Sequence, residues 1–243
     1  MGNAIDQNGW KLGHISGGGG DISVITWQNC SVFGVSPVQK GQIGWHIEGP
    51  NTLQNVFVNA FGAYLDKMYS NVSSKSASGT GNGAVYFYGT GTSQNNTDFE
   101  IGNSQSYLIS GGRFESGKRV LSVINSNVSP SIIFQATEID DYNPSDGILF
   151  FLDMPLSLKL DGCNIKAGTH PAYTKKMITC YGGGNGSGIG RLNVSGGSIE
   201  ASDPFYSINL NSTVWMPYIL GVGKQNNAGV NTGMMKDHLG SIR

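Results

Sequence analysis

The stretch SGGRFESGKRVLSV (Ser110–Val123) returns further along the chain as SGGSIEASDPFYSI (Ser195–Ile208), aligned without a gap. Two looser copies lie between them, SIIFQATEIDDY from Ser131 and SLKLDGCNIKAG from Ser157. Set against SYLISGGRFESG from Ser106 and RLNVSGGSIEAS from Arg191, the copies share three apolar columns. The first holds Tyr107, Ile132, Leu158 and Leu192, the second Ile109, Phe134, Leu160 and Val194, and the third Phe114, Ile139, Ile165 and Ile199. The first two columns are two residues apart, the period of a strand with one face buried. The longer step to the third crosses a corner of small residues such as SGG, after which a second, shorter strand begins.

Weaker copies upstream bring Ile25, Trp27 and Val32, then Leu53 and Val58, so the third column is read at positions 32, 58, 114, 139, 165 and 199. The steps are 26, 56, 25, 26 and 34 residues. The step of 56 reads as two turns, with AVYFYG (Ala84–Gly89) supplying strand material for the hidden one. The step of 34 reads as one turn with an insertion, for which YGGGNGSG from Tyr181 is the candidate. A period near 25 without helical patterning predicts a solenoid of strands and corners, because one turn cannot bury its inward side chains alone. The expected fold is all-β, a right-handed parallel β-helix of about seven or eight turns with capped ends, the hand following from the strong bias of parallel crossovers. At ~4.8 Å per turn the rod would be roughly 35 Å long.

Composition agrees. Gly accounts for 37 of 243 residues and only 13% are charged, which disfavours exposed helix faces and suits many tight turns. Aromatic residues make up 10%, enough with the β-branched residues to build a core, which argues against disorder. The net charge is −1 and Lys and Arg are scattered, with no run longer than two, so no nucleic-acid-binding stripe is expected. No apolar run approaches the ~18 residues of a membrane span, and no secretory pattern follows Met1. Cys30, Cys163 and Cys180 are far apart and odd in number, fit neither a disulfide framework nor a zinc knuckle, and are read as buried free thiols. Residues 1–20 lack the columns and are read as an N-terminal cap or linker, 21–222 as the β-helix, and 223–243 as a polar tail suited to an inter-subunit contact. An apolar strand, Trp215–Leu220, closes the helical part.

Laid out in turns, the chain resembles the pectate-lyase-like β-helix modules of bacteriophage tailspikes and tail appendages. The residues that carry the likeness are GWHIEGPNTLQNVFVNAFGAYLD (Gly44–Asp66), ISGGRFESG and LKLDGCNIKAG, and it covers roughly residues 20 to 220. The resemblance implies a homotrimer in the virion, set among other tail proteins, that binds or cleaves bacterial surface polysaccharide. The chain is short for a tailspike, without a recognisable head-binding or trimerisation domain.

Chemistry in a solenoid comes from side chains stacked on adjacent turns. The position after the third column reads Phe33, Asn59, Glu115, Asp140, Lys166 and Glu200; the one before it reads Ser31, Phe57, Arg113, Glu138, Asn164 and Ser198. Neighbours of an inward residue point outward, so Glu115, Glu138 and Asp140 are predicted to form an outer carboxylate cluster flanked by Arg113 and Lys166. Such a cluster supports glycoside hydrolysis, retaining or inverting according to the carboxyl separation, or a lyase in which Lys166 or Arg113 abstracts a proton. The reading favoured here is a charge ladder that relieves repulsion between turns, with Arg113 beside Glu138 and Asp140 beside Lys166. Trp45, Tyr142, Tyr173 and Trp215 are candidate flat faces for sugar stacking, if exposed. DDYNPSDG (Asp140–Gly147) has the wrong spacing for a calcium loop and is read as Asx-turn chemistry. His14, His46, His170 and His238 fall in no metal-ligand spacing, and neither a metal nor a cofactor is expected. Three functions fit these features: glycan binding by a virion tail protein, depolymerisation of that glycan, or a purely structural virion spacer.

Overall fold

Each turn of chain folds as three short strands separated by corners, and each strand pairs in parallel with its equivalent on the next turn. The computed structural model describes residues 7–12, 22–47, 52–72, 83–102, 106–124, 130–154, 156–167, 178–180, 190–200, 208–210 and 215–220. Among them there is no helix, and the fold is an all-β parallel solenoid. Between Thr52–Val58 and Asn164–Ala167 the coil makes about five turns.

Three sheets run along the rod. Sheet I begins at Gln7–Leu12, Gln42–Ile47 and Lys67–Ser70 and continues through Thr97–Ile101, Leu121–Val123 and Phe150–Leu152. Sheet II includes Ile22–Gln28, Thr52–Val58, Ala84–Tyr88, Ser106–Ser110, Ser131–Gln135 and Ser157–Asp161, and its last strand is Trp215–Leu220. Sheet III includes Ser31–Phe33, Phe61–Ala63, Gly91–Ser93, Arg113–Glu115, Glu138–Tyr142 and Asn164–Ala167. Gln7–Leu12, in the segment read as a cap or linker, is a strand of sheet I paired with Gln42–Ile47. Residues 221–243 lie outside the described residues.

The predicted columns are register partners. Tyr107, Ile132, Leu158 and Leu192 stand side by side in sheet II, as do Ile109, Phe134, Leu160 and Val194, and all are buried. Phe114, Ile139, Ile165 and Ile199 are aligned in sheet III, the first three buried. The two SGG corners are three turns apart, since Ser110 pairs with Gln135, Gln135 with Asp161 and Asp161 with Ser195. AVYFY is the sheet II strand of the hidden turn.

Val58 is a correction. It belongs to sheet II beside Gln28 and Tyr88, and the true third-column residues on its turn and the next are Gly62 and Thr92. The mis-assignment moved Phe57, which is fully buried, and Asn59, a corner residue, into the outward rows. Their places are taken by Phe61 and Ala63. Gly and Thr carry too little apolar signal to mark an interior position. The proposed insertion YGGGNGSG lies outside the described residues, but residues 168–177, between strands of sheets III and I, already lengthen that turn relative to 64–66 and 94–96.

The interior is filled by a relay of rings. Trp27 lies parallel to Phe57 and Phe57 to Phe87, with centroids 5.9 and 4.5 Å apart. Phe99, Phe114, Phe134 and Phe150 continue the relay edge to face. Each such pair adds ~0.5–1.5 kcal/mol beyond the burial of its area. Cys163 is a buried free thiol whose pKa is raised by burial, and Cys30 is a half-buried one.

Corners between sheets II and III turn on a left-handed residue, at Asn29, Asn59, Gly89, Gly111, Ala136, Gly162 and Gly196, and the two SGG corners add a second at Gly112 and Gly197. The SGG phrase needs its second glycine for a further reason besides its positive φ. A Cβ on Gly112 would sit 2.0 Å from the Thr90 carbonyl oxygen, and one on Gly197 would sit 2.1 Å from that of Cys163. A Cβ on Gly162 meets nothing within 4 Å, and Ala136 shows that alanine is accepted at that place. Gly162→Ala is therefore expected to cost ~1–2 kcal/mol, the left-handed penalty alone, whereas Gly112→Ala should cost clearly more because backbone must move. Urea unfolding of the two variants checks the order.

Candidate functional site

Sheet III carries the charges. Arg113 pairs with Glu138 in register and Glu115 with Asp140; on the next turn Asp140 pairs with Lys166 and Glu138 with Asn164. All five predicted residues, Glu115, Glu138, Asp140, Arg113 and Lys166, thus share one outward face, because each flanks an inward Phe114, Ile139 or Ile165. The ion pairs run partly across the register. Arg113 Nε meets Glu115 Oε2 at 3.1 Å and its Nη2 meets Asp140 Oδ2 at 3.1 Å, while Lys166 Nζ meets Glu138 Oε1 at 3.2 Å. Arg113 therefore bridges two turns instead of pairing with Glu138 beside it, since its long side chain reaches past the adjacent position. Every carboxylate of the cluster has a cation. These pairs are half-exposed, so each contributes only ~0–1 kcal/mol.

Trp45 and Tyr142 are corrections, because neither is exposed. Trp45 is fully buried on the inward face of sheet I, edge-on to Phe57 at 5.6 Å. Tyr142 turns inward at the end of its strand, beyond a register shift at Asp140/Tyr142. Its hydroxyl donates to Asp98 Oδ2 and lies 3.4 Å from Thr92 Oγ1. Tyr173 lies outside the described residues, as does the side chain of Trp215. DDYNPSDG closes as an Asx turn, with the Ile148 amide donating to Asp146 Oδ1 at 3.1 Å, and Asp146 is held by Arg119.

Two groupings escaped the sequence reading. On sheet I, His46, Ser70, Glu100 and Ser122 form one row. Ser70 Oγ donates to Glu100 Oε2 at 2.7 Å, and Lys67 Nζ meets the same oxygen at 2.7 Å. His46 Nε2 contacts the Val72 carbonyl oxygen at 3.2 Å. Ser70 is thus committed to a locked carboxylate and not to the imidazole, so no nucleophile–base pair forms. These residues are spread over four turns with no shared motif, and only the register unites them. On sheet II, Tyr86 and Tyr88 point outward with their rings 4° from parallel and centroids 6.0 Å apart. Here the signal was present: in AVYFY the inward Val85 and Phe87 leave the two tyrosines outside.

Asp98 is a buried ionisable group strongly displaced by its surroundings. It is wholly buried, and burial raises its pKa to about 7 against the opposing hydrogen bonds from Tyr142, Asn95 and Thr92. Asn95 Nδ2 donates to Asp98 Oδ1 at 3.0 Å and to the Gly62 carbonyl at 3.0 Å, while Asn95 Oδ1 accepts from the Leu65 amide at 2.9 Å. The cluster ties three turns together.

No family model, curated protein or solved structure matches this chain.

The raised Asp98 pKa has a definite sign. The folded chain keeps a proton that the unfolded chain releases near pH 4, so this contribution to stability is full below pH 4 and is lost as pH rises through about 7. Asp98→Asn should remove that slope and stabilise the protein at pH 8 by on the order of 3 kcal/mol. Denaturation midpoints of both proteins from pH 4 to 8 measure it.

Proposed function

We propose that the chain is the β-helical part of a bacteriophage tail spike or appendage, working in the virion beside other tail proteins and binding polysaccharide on the bacterial surface. We also propose that it forms a homotrimer. In this reading the coil is right-handed with seven or eight turns. Supporting these details are the near-universal hand of parallel crossovers and the eight strands in each of sheets I and II.

One observation carries the reading. Side chains fill the interior, so groups available to a ligand stand on the outer faces of long, regular sheets. Such a surface, repeating every ~4.8 Å, suits an extended repetitive polymer better than a compact metabolite. A second reading, depolymerisation, is favoured by the gathering of Glu115, Glu138 and Asp140 on one face with Arg113 and Lys166. For one carboxyl to act as acid and another as nucleophile or base, the substrate would have to displace Arg113 or Lys166 from its ion pair.

Purified protein applied to bacterial envelope polysaccharides should bind at least one of them, and sedimentation should give the mass of three chains. Retention of none would leave only a spacer role. For depolymerisation, reducing ends should be released and lost by more than about a hundredfold in Glu115→Gln or Asp140→Asn. Release unchanged in both would remove these residues from the chemistry.

A further inference from the structure

The outer faces of sheets II and III differ in charge. Five successive sheet II strands, Ile22–Gln28, Thr52–Val58, Ala84–Tyr88, Ser106–Ser110 and Ser131–Gln135, contain no charged residue; charge resumes at Lys159 and Asp161. Along the middle of this face Val56, Tyr86, Leu108 and Ile133 are successive register partners, all half-buried. Beside them Tyr88 is 40% exposed, and neither tyrosine hydroxyl is engaged by another described residue. Serine and glutamine flank the row, as at Ser110 and Gln135.

Size decides what such a face can hold. Strands of five residues reach ~16 Å, and four turns at ~4.8 Å spacing span ~14 Å, giving roughly 230 Å² of flat surface. A stable protein–protein interface needs ~800 Å² from each partner, so a second copy of the chain would need far more than this patch. A few sugar rings match it. Charge decides which sugars. A uronate or phosphate carried onto this face would lose water without gaining a cation, whereas a neutral ring places its C–H face on an aromatic ring and its hydroxyls against tyrosine, serine and glutamine.

We propose that the sheet II face centred on Tyr86 and Tyr88 is a binding site for a neutral oligosaccharide segment. The inference rests on the glycan-binding reading above, and it puts the contact on sheet II, away from the charged ladder of sheet III.

The test uses two printed sets, neutral hexose oligosaccharides and uronate-containing oligosaccharides, probed with the full chain. The wild type should retain members of the neutral set. Tyr88→Ala and Tyr86→Ala should each weaken that binding at least about tenfold, while Tyr88→Phe, which keeps the ring, should lose less. Retention of uronates alone, or of neutral sugars with Tyr86→Ala and Tyr88→Ala unchanged and the loss falling on Arg113→Ala, overturns this site but leaves glycan binding standing. Retention of neither set overturns both.

Discussion

A ladder of parallel strands tolerates no slip. Moving one turn by a single residue would send Phe57, Phe87 or Phe134 outside and bring Val56, Tyr86 or Ile133 in, so the whole interior depends on every turn keeping step with its neighbours. Two devices hold that step. Left-handed corner residues set where sheet II ends and sheet III begins, and a second series at Tyr64, Gln94 and Ser116 sets where sheet III ends, while Asp141 makes the register shift within Glu138–Tyr142. Between them the strand of sheet III is short, which leaves little room for an alternative register. Asn59 Nδ2 donates to Asn29 Oδ1 at 3.2 Å, so even the corner side chains are stacked from turn to turn.

Polar groups inside this packing carry a cost that depends on their partners. Asp98 has Asn95, Thr92 and Tyr142 around it, and the cluster reaches the backbone at Gly62 and Leu65. Asn55 has no such company: it is fully buried between Ile25 and Val85, and neither amide atom has a hydrogen-bond partner among the described residues. The contrast separates a network that joins turns from an isolated buried amide, which costs on the order of 1–3 kcal/mol. Outside, the same geometry distributes charge by face, with Arg113, Glu138, Asp140 and Lys166 on sheet III and uncharged strands over much of sheet II.

The columns from Tyr107 to Val194 were legible because aliphatic and aromatic residues recur there at a fixed phase, and a shared phase is what stacked turns require. The phase was lost at Val58 because the neighbouring turns place Gly62 and Thr92 at the interior position, and neither differs visibly from a surface residue. The outward row of Glu115, Asp140 and Lys166 followed from the alternation of the strand, but its ion pairing did not, since side-chain reach across turns is not written in the register. Trp45 and Tyr142 were misjudged for a related reason. Large aromatic residues favour the inside of a rod this narrow, and the polar end of Tyr142 finds Asp98 there instead of water.

Of the three connections in each turn, the corner from sheet II to sheet III always takes two residues and turns on a left-handed one, while the return from sheet I to sheet II varies in length. It takes 48–51 on one turn, 71–83 on the next, then 102–105 and 124–130. Lengthening a connection at that seam leaves every hydrogen-bonded rung untouched, because closing a longer loop costs only a fraction of a kilocalorie per doubling, ~0.6 kcal/mol. That long side of the rod can therefore accept foreign sequence, such as an epitope or a graft, at little thermodynamic expense, whereas the two-residue corner between sheets II and III cannot.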